Sequence, residues 1–440
     1  MISFFSSRYG KAMQMPLPLH SFAWMSAEEI ASFDPINDVT MKPGPGYILE
    51  VTLRYPKELH VLHNSFPLAA EHIEITENDL SPYALECLNG LNMKSKYTAK
   101  KLSATFRDRV RYVCHGLNLK LYLELGLELV SVHRGVKFVQ DNYFKDYVSM
   151  CSNKRAQAMT KSEGNMYKLL SNSLYGKLIE GTKNRMVCQF NMHEKKALRN
   201  FSDPLYKGVV ICDEDFSVSF HHKREVYNRQ SWAVGFTVLE LSKYVMSDLY
   251  YNYVQPRFDY NCSVCLSDTD SWVLAAPCQS SDQVVSRLSD IMDFSNYEVT
   301  HPLYNSSRKN VVGFLKNEVP KDEIIKFVGL KSKTYAFMTK KQDLEAKAKG
   351  VKTCYKRKLS FDTYKACLDD ICSKTITQVS IVSKNHQNML VKSDRVAFSS
   401  FDDKRYLLCR YHTCPYGSHL IDLHKDTGKC FFCENSNVLA

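Results

Sequence analysis

Between two apolar runs, Val264-Cys-Leu266 and Trp272-Val-Leu-Ala275, the chain carries Asp268-Thr-Asp270-Ser271. Short apolar runs around a polar turn predict a pair of strands over 261–276, held at the end of a buried sheet. Carboxylates at i and i+2 can then point the same way from the turn. Paired acids in a turn suit Mg²⁺, which takes one or two protein carboxylates plus substrate phosphates. The plain alternative is a solvated acidic hairpin. A calcium loop is excluded, because counting from Asp268 places Val273 where that loop needs Gly and Gln279 where it needs Glu.

The rest of the chain must supply the surrounding sheet and its cover. With 440 residues, 44% of them hydrophobic and 24% charged, it has material for several structural units, and disorder throughout is excluded. No run of about 18 apolar residues occurs, so neither a spanning helix nor a membrane partner is expected. The N-terminus lacks the features of a secretory signal. Fifteen scattered cysteines suit a reducing, intracellular compartment, with the nucleus a candidate. Pro16-Leu-Pro18 and Pro43-Gly-Pro-Gly46 are read as breaks. A strand is predicted over 47–55 and a helix–strand pair over 117–132, punctuated by Gly126. A helix is predicted over 165–180, stopped by Gly181, and a strand pair over 327–338. This mixture predicts an α+β fold with sheets and helices segregated.

The net charge of +11 is local: residues 301–360 hold 15 Lys/Arg against 5 Asp/Glu. A polyanionic partner is favoured, although a charge run is ordinarily a solvated face. Two constellations give that preference a shape. In a helix, Lys168, Asn172, Tyr175 and Gly176 share one face, presenting a cation, an amide, a ring and a gap. A lysine binds phosphate as a point charge, and a ring beside a glycine admits a flat base. Lys331, Lys333 and Tyr335 would share one face of a strand, and the basic run continues through Lys347, Lys349 and Lys352. Lysines interleaved with an aromatic suit a nucleic-acid backbone. Separately, Cys409, Cys414, Cys430 and Cys433 have spacings acceptable for a structural Zn²⁺ site, with His412, His419 and His424 nearby.

In this order, Lys168-x-x-x-Asn172-Ser173-x-Tyr175-Gly176, Asp268-Thr-Asp270-Ser271 and Lys331-Ser-Lys333-Thr-Tyr335 resemble the fingers, palm and primer-holding motifs of family B DNA polymerases. Gly46-Tyr-Ile-Leu-Glu-Val, Tyr55-Pro-Lys-Glu-Leu-His60 and His63-Asn-Ser-Phe-Pro-Leu68 are similar to the protein-primed polymerases of Polinton/Maverick elements and related viruses. So are Tyr112-Val-Cys-His115, Leu119-Lys-Leu-Tyr-Leu-Glu-Leu-Gly126 and Asp402-Asp-Lys-Arg405. The likeness covers about 6–419. It implies a right-hand fold of palm, fingers and thumb. The expected parts are 1–140 (partial palm with a terminal-protein-region-like insertion), 141–184 (fingers), 185–235 (second insertion), 236–340 (palm) and 341–440 (thumb and tail).

The resemblance further implies template-directed addition of dNTPs to a primer 3′-hydroxyl with two Mg²⁺ ions. Asp270 would bridge the metals and Asp268 support them. Lys168 would hold the triphosphate, while Asn172, Tyr175 and Gly176 would cover the nascent pair. Tyr9 would lie against the sugar, and Lys333 and Tyr335 would grip the primer strand. Primer-template DNA, dNTPs and a terminal-protein primer are the expected partners. The family's first palm motif places Asp five residues before a Tyr-Gly pair. Here Tyr9-Gly10, Met13 and Pro16-Leu-Pro18 match, but that position is Phe4, which cannot ligate a metal. Thr52 also stands where these relatives carry Asp. With no room before residue 4 for a proofreading exonuclease, a C-terminal polymerase portion with impaired catalysis is expected. The alternative is an inactive remnant that binds primer-template DNA.

Overall fold

The computed structural model describes all residues except 91–97, 183–184, 228–229, 357–358, 371, 385–386 and 436–440. The predicted acidic hairpin forms from Ser263–Asp268 and Ser271–Ala275. It is one side of a five-stranded sheet. The N-terminal strand Ile2–Ser6 pairs with its second strand, and Leu315–Asn317 and Met292–Asp293 follow on the far side. Phe4 is thus flanked by Trp272 on one neighbour and Asn317 on the other. Alternation puts Ile2 and Phe4 on one face, and both are buried.

They join the main core with Val234, Val238, Leu241 and Val245 of the helix Trp232–Asp248. The spacing of those four residues makes a continuous apolar stripe. Each wholly buried large side chain contributes about 1.5–3 kcal/mol, so this stripe anchors the helix. Glu240 is buried on the same helix. It is paired with Lys243 at 2.6 Å and accepts from Asn118 at 2.8 Å, as a buried charge requires.

A second, four-stranded antiparallel sheet runs Leu17–Trp24, Glu128–Asp141, Gly44–Arg54, Arg109–His115. Of the prolines read as breaks, Pro16 and Pro43 precede its strands, whereas Pro18 and Pro45 lie inside them. Pro18 is tolerated because its strand is an edge. Pro45 is tolerated because the neighbour on its second side pairs only from Ile48 onward. The helix–strand pair is as expected: Gly116–Glu124, then a reversal in which Leu127 N–H donates to the Tyr122 carbonyl at 2.9 Å. Gly126 supplies the left-handed residue (φ +97°) which that cap needs.

Smaller sheets stand outside these two. Glu71–Thr76 pairs with Thr98–Ser103. Met186–Asn191, Tyr206–Asp213 and Phe216–His222 form another. Ile324–Lys331, Thr334–Thr339 and Leu344–Ala348 form a third. The last shares a core with the helix Phe361–Asp369 and the long hairpin Ser373–Lys384/Gln387–Ser399, where Tyr364 stacks on Phe398 at 4.3 Å. The chain's final described residues pack back onto Ile73, Ile75, Ala84 and Leu88 in a separate small core. No helix among the described residues is long and apolar enough to cross a membrane.

Candidate active site

The acidic turn is tighter than the sequence suggested. Asp270 N–H donates to the Asp268 carbonyl at 2.8 Å, an i to i+2 bond around Thr269, whose φ is +64°. This is the uncommon γ-turn geometry, and a β-branched residue occupies its strained centre. Thr269 Oγ1 donates to Asp268 Oδ1 at 3.0 Å, and Lys333 Nζ lies 2.9 Å from the same oxygen. Asp270 is half-buried. Burial lifts its carboxyl above the usual range and repulsion from Asp268 adds to this, while Arg8 and Lys168 pull it back.

Lys168, Asn172, Tyr175 and Gly176 all lie on one helix, Lys161–Leu178. It starts four residues earlier than expected. Thr160 accepts from Glu163 N–H at 3.2 Å and Glu163 turns back to Met159 N–H at 3.1 Å, a start signal present in Thr160-Lys-Ser-Glu163. It ends at Leu178, so Gly181 lies beyond its end. No residue of this helix is buried. The Tyr175 ring stacks on Tyr9 of the helix Arg8–Met13, with centroids 4.9 Å apart and planes 25° apart. A Cβ on Gly176 would meet nothing within 4 Å, so the gap beside Tyr175 is open.

The Lys331-Ser-Lys333-Thr-Tyr335 segment is not one strand face. Lys331 ends one strand, Tyr335 belongs to the next, and Lys333 sits in the turn between them with φ +60°. The turn separates the lysines: Lys333 faces Asp268, whereas the charge of Lys331 acts on Cys367. Tyr335 is flanked by Phe327 and Phe337, with ring centroids 6.1 and 6.5 Å away. Lys347 is opposite Tyr335 in register and pairs with Glu345. Lys349 is exposed. Lys352 is drawn elsewhere: its Nζ donates to the Val379 carbonyl at 2.8 Å.

The comparisons with known proteins bear on this arrangement. Residues 6–200 match the family described as DNA polymerase type B, organellar and viral, a stretch that includes Tyr9, Lys168, Asn172, Tyr175 and Gly176. That match covers 195 of the 440 residues, less than half of the chain. The whole structure is similar to phi29 DNA polymerase, with a TM-score of 0.54 and 14% identity over 90% of this chain. It is similar also to phi29 polymerase complexed with primer-template DNA and incoming nucleotides, with a TM-score of 0.53 and 15% identity. The fold is therefore the right-hand polymerase fold. The chain spans 58% of the length of the first of these phi29 chains and 57% of the second. No curated protein matches the sequence.

Within this right-hand fold, Glu318 and Arg8 join residues that the sequence did single out. Glu318 follows the strand Leu315–Asn317, and its N–H donates to the Ser3 carbonyl at 2.9 Å. It is therefore next to the N-terminal strand, on the opposite side from the acidic hairpin. Burial raises its carboxyl, Lys316 and Lys168 lower it, and Asp270 raises it again. Lys168 and Asp270 are thus shared neighbours. Nothing in Leu315-Lys-Asn-Glu318 marks an acid brought in by sheet pairing. Arg8 lies over the Tyr9 ring, 5.0 Å from its centroid, and its charge reaches Asp270. Its only signal was adjacency to Tyr9. Phe4 is 0% exposed and belongs to the main core.

Asp268, Asp270 and Glu318 are oxygen donors; the Asp268 charge raises the Asp270 carboxyl and the Asp270 charge raises that of Glu318. That chemistry fits Mg²⁺.

The four predicted sulfur ligands do not all converge. Cys409, Cys430 and Cys433 come together, but the fourth group is His412. Cys414 is in the strand Thr413–Cys414, paired with Tyr406, and its side chain is wholly buried in the small core. His412 lies just outside that strand, where its ring is free to turn toward the sulfurs.

Proposed function

We propose that this chain is the polymerising portion of a protein-primed, type B DNA-directed DNA polymerase, extending a primer 3′-hydroxyl under the direction of a template. The observation that carries this reading is that the Lys168 charge acts on both Asp270 and Glu318, and the Arg8 charge on Asp270, beside the stacked Tyr9–Tyr175 pair. Cations beside acids suit a triphosphate that arrives with metal. Lys168 neutralises the triphosphate. Tyr9 and Tyr175 form a flat floor for the sugar and the nascent pair, with Asn172 at its edge and the gap at Gly176 admitting the template base. Mg²⁺ held by Asp270, with Glu318 and Asp268, would lower the charge barrier between the primer hydroxyl and the phosphate. Lys333 steadies Asp268 and, with Tyr335, Lys347 and Lys349, offers the primer strand a phosphate-binding edge.

In this reading the five-stranded sheet is the palm and the pair Lys145–Gln157/Lys161–Leu178 the fingers. The long hairpin 373–399 serves as the thumb. The small sheets at 71–103 and 186–222 are the candidate surfaces for a terminal-protein primer or for enclosing DNA. Solved phi29 polymerase complexes hold primer-template DNA, incoming nucleotides or single-stranded DNA, and the same substrate classes are proposed here.

Primer extension with Mg²⁺ or Mn²⁺, run beside filter binding of the same primer-template, tests the proposal. Weak template-dependent extension is expected, because the family's first acid is Phe4. A second reading, a DNA-binding remnant without catalysis, is favoured by the complete burial of Phe4. Binding without extension in either metal selects that second reading. Neither binding nor extension overturns both.

A further inference from the structure

We propose that Cys409, His412, Cys430 and Cys433 bind one Zn²⁺ that fastens the C-terminal segment to the 71–103 sheet, a structural role beyond the polymerase reading. The four ligand atoms lie within 4.8 Å of one another. Cys409 Sγ is 3.8 Å from Cys433 Sγ. His412 Nδ1 is 3.4 Å from Cys409 Sγ, 3.4 Å from Cys433 Sγ and 3.7 Å from Cys430 Sγ. A tetrahedral zinc with ordinary Zn–S and Zn–N bonds requires S···S of about 3.8 Å and S···N of about 3.5 Å. These four edges match such a tetrahedron, and the two between Cys430 and the other sulfurs are within 4.8 Å.

The fold explains how a chain reaches this spacing. Cys409 and His412 sit at a hairpin tip, closed by Leu408 and Cys409 N–H groups donating to the His412 carbonyl at 3.0 and 3.3 Å. Cys430 precedes the short helix Phe431–Glu434, and its carbonyl accepts from Cys433 N–H at 3.1 Å, which turns both sulfurs to one side. A four-residue helix does not hold itself together. Its buried Phe432 lies 5.6 Å from the His412 ring, centroid to centroid, in the small core that includes Ile73, Ile75, Ala84 and Leu88. Cores this small ordinarily rely on a metal or a disulfide, and every cysteine here is free. On binding, three thiols release their protons to solvent, the three thiolates and the neutral His412 Nδ1 donate electron pairs, and no redox change occurs.

Metal analysis of the full chain, purified under reducing conditions from zinc-replete culture, gives the direct test. About one zinc per chain is expected, and exchange with Co²⁺ should produce the absorption of a tetrahedral three-sulfur, one-nitrogen site. His412→Cys should retain metal and move that spectrum toward four sulfurs. Cys433→Ser should weaken metal affinity by at least about tenfold, and Cys414→Ser should leave zinc content unchanged. Failure of the unaltered chain to take up either Zn²⁺ or Co²⁺ overturns the proposal, as does a Cys409–Cys433 disulfide in protein alkylated at lysis. Loss of zinc in Cys414→Ser with retention in Cys433→Ser overturns the ligand set. Because metal content is read without primer or nucleotide, failure of the polymerase reading leaves this result standing, and the reverse also holds.

Discussion

The acids proposed to hold Mg²⁺ and the Cys/His cluster are built on opposite principles. The acids are hard oxygen donors, two from one hairpin turn and one from the end of the strand Leu315–Asn317. One of these carboxylates is already engaged by Lys333, and the two turns that join them place Thr269 and Lys333, neither a glycine, at positive φ. The Cys/His cluster has its donors at tetrahedral distances, and the positive-φ residues beside it, Gly417 and Gly428, are glycines. A site that must admit substrate phosphates stays open and stores strain at its turns. A site that only holds the chain together can be closed and relaxed.

The largest separation between the two should come from Asp270→Asn. Removing the half-buried carboxylate beside Lys168 and Arg8 is expected to abolish whatever primer extension the chain performs, with primer-template binding and zinc content unchanged. Parental extension rates in the variant would show that the acids at this turn are a solvated hairpin and nothing more. Next comes Phe4→Asp, which restores the acid of the family's first palm motif. Phe4 is wholly buried beside Trp272, so the change loses the roughly 3–5 kcal/mol of a truncated core Phe and adds a buried carboxylate. A clear drop in urea midpoint is expected. A variant as stable as its parent would place position 4 in the open groove rather than in the core.

How much of this was legible beforehand depended on how each feature is written in the chain. The acidic hairpin, the helix face at 168–176 and the strand 44–54 are contiguous and periodic, and the expectations for them agree with the structure apart from their ends. The lysine segment failed because alternation assumes one strand, and a two-residue turn at Ser332-Lys333 intervenes. Pro18 and Pro45 failed as breaks because only sheet order tells an edge position from an interior one. Glu318 was missed because sheet pairing between distant segments brings it in, which leaves no local trace; His412 was noted beside the cysteines, but spacing alone did not single it out as the fourth ligand. Cys414 was favoured by spacing, and the core took its side chain instead.

Glu318→Gln is a smaller effect and sharpens the acidic side of the comparison. If Glu318 shares the burden that Phe4 cannot carry, extension should fall about 10–100-fold, the range for groups that support a metal, and added Mn²⁺ should recover part of it. An unchanged rate at every Mg²⁺ concentration would remove Glu318 from the site and leave Asp270 with Asp268 alone.

The smallest effects test the strain itself, through a pair of substitutions with opposite signs. Thr269 pays for φ +64° with steric strain of about 1–2 kcal/mol, which glycine would not incur. Thr269→Gly also gives the unfolded chain more freedom, offsetting about 0.4–1 kcal/mol of the relief. A net stabilisation of up to about 1 kcal/mol is therefore expected. Extension should fall nevertheless, because the Thr269 Oγ1 bond to Asp268 is gone and the turn loosens. Gly428 takes φ +68° at the end of the helix His419–Thr427, and an added Cβ would meet nothing within 4 Å. Gly428→Ala should therefore lose about 1–2 kcal/mol through backbone conformation alone, with metal binding intact. Thermal melts of the two variants beside the parent decide the matter. If Thr269→Gly melts lower than the parent, the turn is not storing strain, and the contrast drawn between an open, strained site and a closed, relaxed one loses its energetic basis.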